Sequence, residues 1–155
     1  MSKFPVLIIG ISLILLTLFS FSCTNSDSNT INEKVSSQLL TQINMRKEQL
    51  ANPASDRLEI MKNMGMRVDN LEIQRIFIHL SQEPTQSQIA EIEALGITLY
   101  LDSWVPAVGD HPTGFLIADM PVDKLEELAE KDYVVRLETA ERELQLHNGG
   151  RLQLE

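Results

Sequence analysis

Between residues 73 and 138 the hydrophobic period switches back and forth between two and about 3.6, and few architectures accommodate that switching. Residues 73–80 alternate around Ile76-Phe77-Ile78-His79-Leu80 and predict a strand. The stretch Glu83-Pro84-Thr85-Gln86-Ser87-Gln88 carries a helix-capping signal; Ile89, Ile92 and Leu95 follow at helical spacing, and Gly96 ends the run. A second strand is expected over 97–105, a loop with Gly109-Asp110 over 106–112, and a third strand over 114–120. Pro121-Val122-Asp123 opens a helix bearing Leu125, Leu128 and Ala129, and residues 133–138 form the fourth strand.

The order βαββαβ is the split-βαβ or ferredoxin-like plan: an α+β fold whose four-stranded antiparallel sheet carries two helices on one face. Its other face is left open. Strand alternation turns Ile76, Ile78 and Leu80 toward the helices and Phe77 and His79 away. It likewise sends Ile97, Leu99, Leu101, Leu116, Ala118 and Met120 inward, and Tyr100, Asp102, Trp104, Phe115 and Ile117 outward. Beyond the N-terminal apolar run the aromatics are Phe77, Tyr100, Trp104, Phe115 and Tyr133, and all but Tyr133 are expected on the open face. A contiguous aromatic patch of that kind marks a surface for a protein partner, unless another part of the chain folds over it.

Two segments flank this unit. Thr30-Ile31-Asn32-Glu33 has a capping-box pattern, and Ile31, Val35, Leu39, Ile43 and Leu50 continue at helical spacing until Asn52-Pro53. A short helix with Leu58, Met61 and Met64 on one side should follow from Ser55 and stop at Gly65. This lead-in is amphipathic, and packing onto the domain is the ordinary use of such a stripe. After residue 138, Leu144-Gln145-Leu146 and Leu152-Gln153-Leu154 flank an Asn148-Gly149 turn signal. That tail is suited to an isolated hairpin, to covering the sheet, or to entering a partner's groove.

The N-terminus carries an address. A single Lys3 precedes an uncharged run over 4–21, and small Ser22 then precedes Cys23 and a polar stretch, Thr24-Asn25-Ser26-Asp27-Ser28-Asn29. This order resembles a bacterial lipoprotein signal, with Ser20 where such signals usually carry Leu. The resemblance implies lipidation of Cys23 and attachment to a bacterial membrane; an uncleaved anchor helix or plain secretion are the alternatives. All three put the rest of the chain outside the cytoplasm. The expected organisation is a signal over 1–22, a tether over 23–29, a helical lead-in over 30–65, the domain over 66–138 and a tail over 139–155.

Within the domain, Glu83-Pro84-Thr85-Gln86-Ser87-Gln88-Ile89, Leu95-Gly96-Ile97-Thr98-Leu99, Thr113-Gly114-Phe115, Met120-Pro121, Leu125, Leu128-Ala129 and Val134-Val135-Arg136-Leu137-Glu138 together resemble the propeptide/inhibitor domain of subtilisin-like serine proteases. The similarity runs over about residues 66–138. It implies a domain with no catalytic residues of its own, acting as folding chaperone and inhibitor. In such domains the open sheet face packs on helices of the protease, and the segment after the fourth strand lies in the active-site cleft. Carried over by position, Phe77, Tyr100, Trp104 and Phe115, with Ile117 beside them, form the docking surface. Thr139-Ala140-Glu141-Arg142-Glu143-Leu144 is the cleft segment. No catalytic domain follows in this sequence, so the expected protease is a separate chain; a non-inhibitory envelope interaction or assembly module is the alternative.

Composition excludes several other classes. The chain has 13 Lys and Arg against 22 Asp and Glu, a net charge of −9, which repels phosphate and argues against nucleic-acid binding and a polybasic membrane patch. At 43% hydrophobic and 23% charged it is a folding rather than a disordered chain. One cysteine excludes internal disulfides and Cys-based zinc sites. The histidines, His79, His111 and His147, fall on a strand, a loop and the tail, and neither Gly-x-Ser-x-Gly nor His-Glu-x-x-His occurs. Asp110-His111 with Asp102 reads as a solvated loop rather than a metal site, and Glu126, Glu127 and Glu130 as a solvated helix face with a Glu127–Lys131 pair. No enzyme activity, cofactor or metal is expected.

Overall fold

The computed structural model describes residues 33–141. The expected signal, Cys23 with its tether, Thr30-Ile31-Asn32, and the tail from Arg142 onward lie outside the described residues. The elements are α1 (Ser37–Ala51), α2 (Ser55–Asn63), β1 (Ile73–Leu80), α3 (Gln86–Glu93), β2 (Thr98–Val105), β3 (Gly114–Pro121), α4 (Leu125–Ala129) and β4 (Val134–Thr139). The strands form one antiparallel sheet in the order β2-β3-β1-β4, so the fold is α+β and ferredoxin-like.

Local chemistry explains most boundaries. Thr85 and Gln88 make the reciprocal capping box that starts α3: the Gln88 N–H donates to Thr85 Oγ1 at 3.3 Å, and the Thr85 N–H to Gln88 Oε1 at 2.9 Å. Past α3, Gly96 takes φ +79°, the left-handed turn that releases the chain toward β2. Helix α1 is capped by Ser36, whose Oγ accepts from the Leu39 N–H at 3.3 Å; the expected cap at Thr30 lies outside the described residues. Val35 bridges Leu137 in parallel and the Ser36 N–H donates to the Leu137 carbonyl at 3.0 Å, so the backbone is extended there and the helix restarts behind it. This short pairing also covers part of the outer edge of β4.

The core lies between the sheet and one helical layer. Ile76, Ile78, Leu80, Leu116, Ala118, Met120 and Leu137 face Ile92 of α3, Leu125 and Leu128 of α4, and Leu39 and Ile43 of α1. Each such Leu or Ile stabilises the fold by about 1.5–3 kcal/mol. The two crossover helices thus cover one face and α1 joins their layer; among the described residues no helix covers the opposite face of the sheet.

Two expected side-chain placements in the helices are corrected. Leu50, expected in the α1 stripe, is exposed; the buried stripe runs through Gln42, Arg46 and Gln49 instead. The expected Glu127–Lys131 pair is replaced by Lys124–Glu127 at 2.6 Å, while Lys131 approaches Glu91 at 3.6 Å. Among the described residues no helix is long and apolar enough to cross a membrane.

Candidate protein-interaction face

The bare face divides into an aromatic half and a charged half. In the aromatic half, His79↔Phe115 and Phe77↔Ile117 sit opposite each other on β1 and β3. The Phe77 and Phe115 rings meet edge to face, centroids 5.3 Å apart at 80°, and His79 lies 5.6 Å from Phe115. Val105, Pro106 and Val108 from the end of β2 and the following loop, with His111, wall a groove of about 250 Å³ beside His79 and Phe115. Val108 is 65% exposed, the most exposed large apolar side chain among the described residues.

His79 sits at the centre of this half. Its Nε2 is buried without a hydrogen-bond partner, and Glu138 Oε2 stands 3.6 Å away. Burial holds the imidazole below the ordinary histidine range; Glu138 pulls it upward and Arg136 adds to the depression, both less strongly.

The charged half is a closed cluster. Arg75 grips Asp119 with both ends of its guanidinium, Nε to Oδ1 at 2.8 Å and Nη2 to Oδ2 at 2.9 Å. The Tyr100 hydroxyl donates to Asp119 Oδ2 at 2.8 Å, and Arg75 also lies over the Tyr100 ring. Hydrogen bonds from Arg75 hold the Asp119 carboxyl below the usual carboxylate range against the opposing effect of burial, with Tyr100 assisting. Asp102 and Ser103 border the shallow hollow over Arg75, Tyr100 and Ile117.

Phe77, Tyr100, Phe115 and Ile117 therefore lie on the open face as alternation requires. Trp104 does not. It packs against the core on the helical side, lining a small cleft with Pro84, Ile89 and Leu116. The reason is a register shift: Tyr100 pairs with Ile117 and Val105 with Phe115, so β2 spends five steps where β3 spends two. An odd step count reverses the alternation, bringing Val105 to the open face and turning Trp104 inward. Leu101 keeps its expected inward side, lining the same cleft, and is 46% exposed because β2 is an edge strand. Ser103 fills the gap in the ladder, donating to the Tyr100 carbonyl at 2.5 Å and accepting from the Ile117 N–H at 2.8 Å. Gly114 makes room for the displaced ring, since a Cβ there would stand 2.4 Å from Trp104 and 2.6 Å from the Val105 carbonyl. Asp102-Ser103, polar residues interrupting a strand pattern, were the available signal.

The segment after the sheet is also corrected at its start. Thr139, Ala140 and Glu141 were expected to leave the domain, but Thr139 ends β4 fully buried, and the Ala140 N–H donates to the Arg75 carbonyl at 3.1 Å. Glu141 is 4% exposed and pairs with the fully buried Arg46 at 2.6 Å. Its carboxylate also accepts from the backbone N–H of Arg67 at 2.8 Å and of Arg75 at 3.1 Å. Gln42 and Gln74 complete the network: Thr139 Oγ1 donates to Gln42 Oε1, Gln74 Nε2 donates to the same oxygen at 3.1 Å, and Arg46 Nε donates to Gln74 Oε1 at 2.8 Å. Nothing in local sequence periodicity marks these polar residues as interior. Arg142, Glu143 and Leu144 lie outside the described residues.

Tyr133 stays off the face, its hydroxyl donating to Glu91 at 3.3 Å while burial pushes it up to about 12. Among the described residues no group of three His, Cys, Asp or Glu side chains is placed to hold a metal ion. The fold and this face together define a ferredoxin-like α+β domain with one mixed aromatic and charged sheet surface that no helix among the described residues covers. Compared with known proteins, the chain matches no protein-family model, no curated protein and no solved structure.

Proposed function

We propose that this chain is a non-enzymatic, lipid-anchored protein of the bacterial cell envelope that binds another protein through the open sheet face. On this reading it acts as a propeptide-like inhibitor or folding chaperone of a subtilisin-like protease on a separate chain. The observation that carries the proposal is the continuous surface of Phe77, Phe115, Ile117 and Val105 on a face that no described helix covers. The quoted resemblance to protease propeptides supports the choice of partner. An extended segment following β4 suits recognition by backbone pairing in a cleft, with alternate side chains filling pockets. That cleft segment begins no earlier than Arg142, because Thr139 and Glu141 are spent on the domain interior.

A titration of the protein from Thr24 to Glu155 against a panel of subtilisin-like proteases tests the reading, scoring inhibition and cleavage of the tail together. Stoichiometric inhibition that disappears when residues 142–155 are deleted is the expected result. Rapid degradation without inhibition sinks it. The second reading, a non-inhibitory envelope assembly module, is favoured by the burial of Thr139 and Glu141 inside the domain. It predicts that tail deletion leaves partner binding intact while polar substitution at Phe77 abolishes it.

A further inference from the structure

We infer that the groove beside His79 is a binding site for a small free molecule, a single uncharged aromatic ring that carries a hydroxyl. The inference goes beyond the protease reading and does not depend on it. No Asp, Glu, Lys or Arg side chain lines the groove, so a charged group entering it would lose water and meet no opposite charge. An apolar cavity of about 150 Å³ holds a benzene ring. At about 250 Å³ the groove takes one ring with a few substituent atoms. Phe115, already met edge to face by Phe77, offers its ring for a further contact of that kind. Val105 and Val108 are 41% and 65% exposed, and an occupant of the groove takes their apolar surface out of water.

The polar groups on the wall select the hydroxyl. They are the imidazoles of His79 and His111 and the Thr113 side chain. Burial holds His79 below the ordinary histidine range, so it is neutral near pH 7, and a neutral imidazole keeps an acceptor nitrogen. Its Nε2 finds no hydrogen-bond partner among the described residues. A hydroxyl answers such groups and a bare hydrocarbon does not. The wall is also set in advance. Pro106 and Pro112 fix φ near the two ends of the loop, Gly109 takes φ +63°, and the His111 N–H donates to the Val108 carbonyl at 3.2 Å. A preformed wall suits a small ligand, whose few contacts cannot offset much ordering. Neither proline has an N–H to pair with an incoming peptide backbone, so this end of the sheet offers side chains rather than a strand edge, which favours a free molecule over a ring borne on a chain.

Titration of the full chain with para-cresol, followed by nuclear magnetic resonance, tests the site. The Val105 and Val108 methyl signals and the His79 and His111 imidazole signals should shift saturably, with a dissociation constant on the order of 1 mM or below. Toluene, the same ring without the hydroxyl, should bind roughly three-fold or more weakly. Benzoate and benzylammonium should each bind roughly ten-fold or more weakly. Val108→Asp, at a position too exposed to unfold the domain, should weaken para-cresol by roughly ten-fold or more. Ile60→Asp on α2, where the side chain is 52% exposed and far from the groove in the fold, should leave it unchanged. Shifts that never saturate and spread over the surface overturn the inference, as does equal binding of toluene or benzoate. A blocked Gly-Tyr-Gly peptide that binds as tightly as para-cresol overturns the assignment to a free molecule.

Discussion

Arg46 and Glu141 are nearly inaccessible to water, with side chains 0% and 3% exposed, and each depends on the other for compensation. Arg46→Ala should therefore cost about 3–5 kcal/mol in chemical denaturation, because it leaves a buried carboxylate without its partner. The double replacement Arg46→Met with Glu141→Leu should recover most of that loss. His79 gives a pH-dependent prediction. Its folded value lies below the unfolded one, so the unfolded chain binds the proton first. The His79 contribution is whole above the unfolded value of about 6.5 and declines as the pH falls through the folded one. The drop in urea midpoint between pH 7 and pH 5 should be smaller in His79→Phe than in the unaltered protein; an equal drop would show that His79 does not contribute.

Strand β2 shows how one irregularity redirects a whole element. Gly114 lies against the Trp104 ring and the Val105 carbonyl, and the backbone carbonyl cannot swing aside as a flexible side chain would. Gly114→Ala should lower stability by about 1–3 kcal/mol, the usual cost of overpacking, read from thermal or urea unfolding. Ser103→Ala removes the hydroxyl that accepts from the Ile117 N–H, and a loss of roughly 1 kcal/mol is expected. The capping of α3 was legible before the structure, because Thr85 and Gln88 are three residues apart and need no distant partner. The inward turn of Trp104 was not, because alternation carries no record of extra residues unless the strand they pair with is known.

On the scale of the whole molecule, the helical layer and the open face separate two kinds of aromatic substitution. Phe77→Ser removes one edge-to-face contact worth about 0.5–1.5 kcal/mol, so the protein should stay folded. If Phe77 is a docking anchor, partner affinity should fall about thirty-fold, the loss of roughly 2 kcal/mol typical of an interface hot spot. Trp104→Ala should do the reverse, lowering the unfolding midpoint while leaving the affinity of the folded fraction unchanged. Isothermal titration beside thermal unfolding separates the two, and equal effects on affinity would mean that the face does not dock the partner.

What the sequence by itself determined was everything governed by short-range period: the βαββαβ order, the inward rows Ile76-Ile78-Leu80 and Leu116-Ala118-Met120, and the outward Phe77, Phe115 and Ile117. Apolar side chains at spacings of two or 3.6 have one way to leave water together, so their pattern is also their placement. The tertiary structure alone decided the bulge that turns Trp104 inward and the burial of Glu141 in what read as an exposed tail. Arg46 and Glu141 stand 95 residues apart, and a polar residue becomes an interior one only when a distant partner supplies the hydrogen bonds that water would otherwise make.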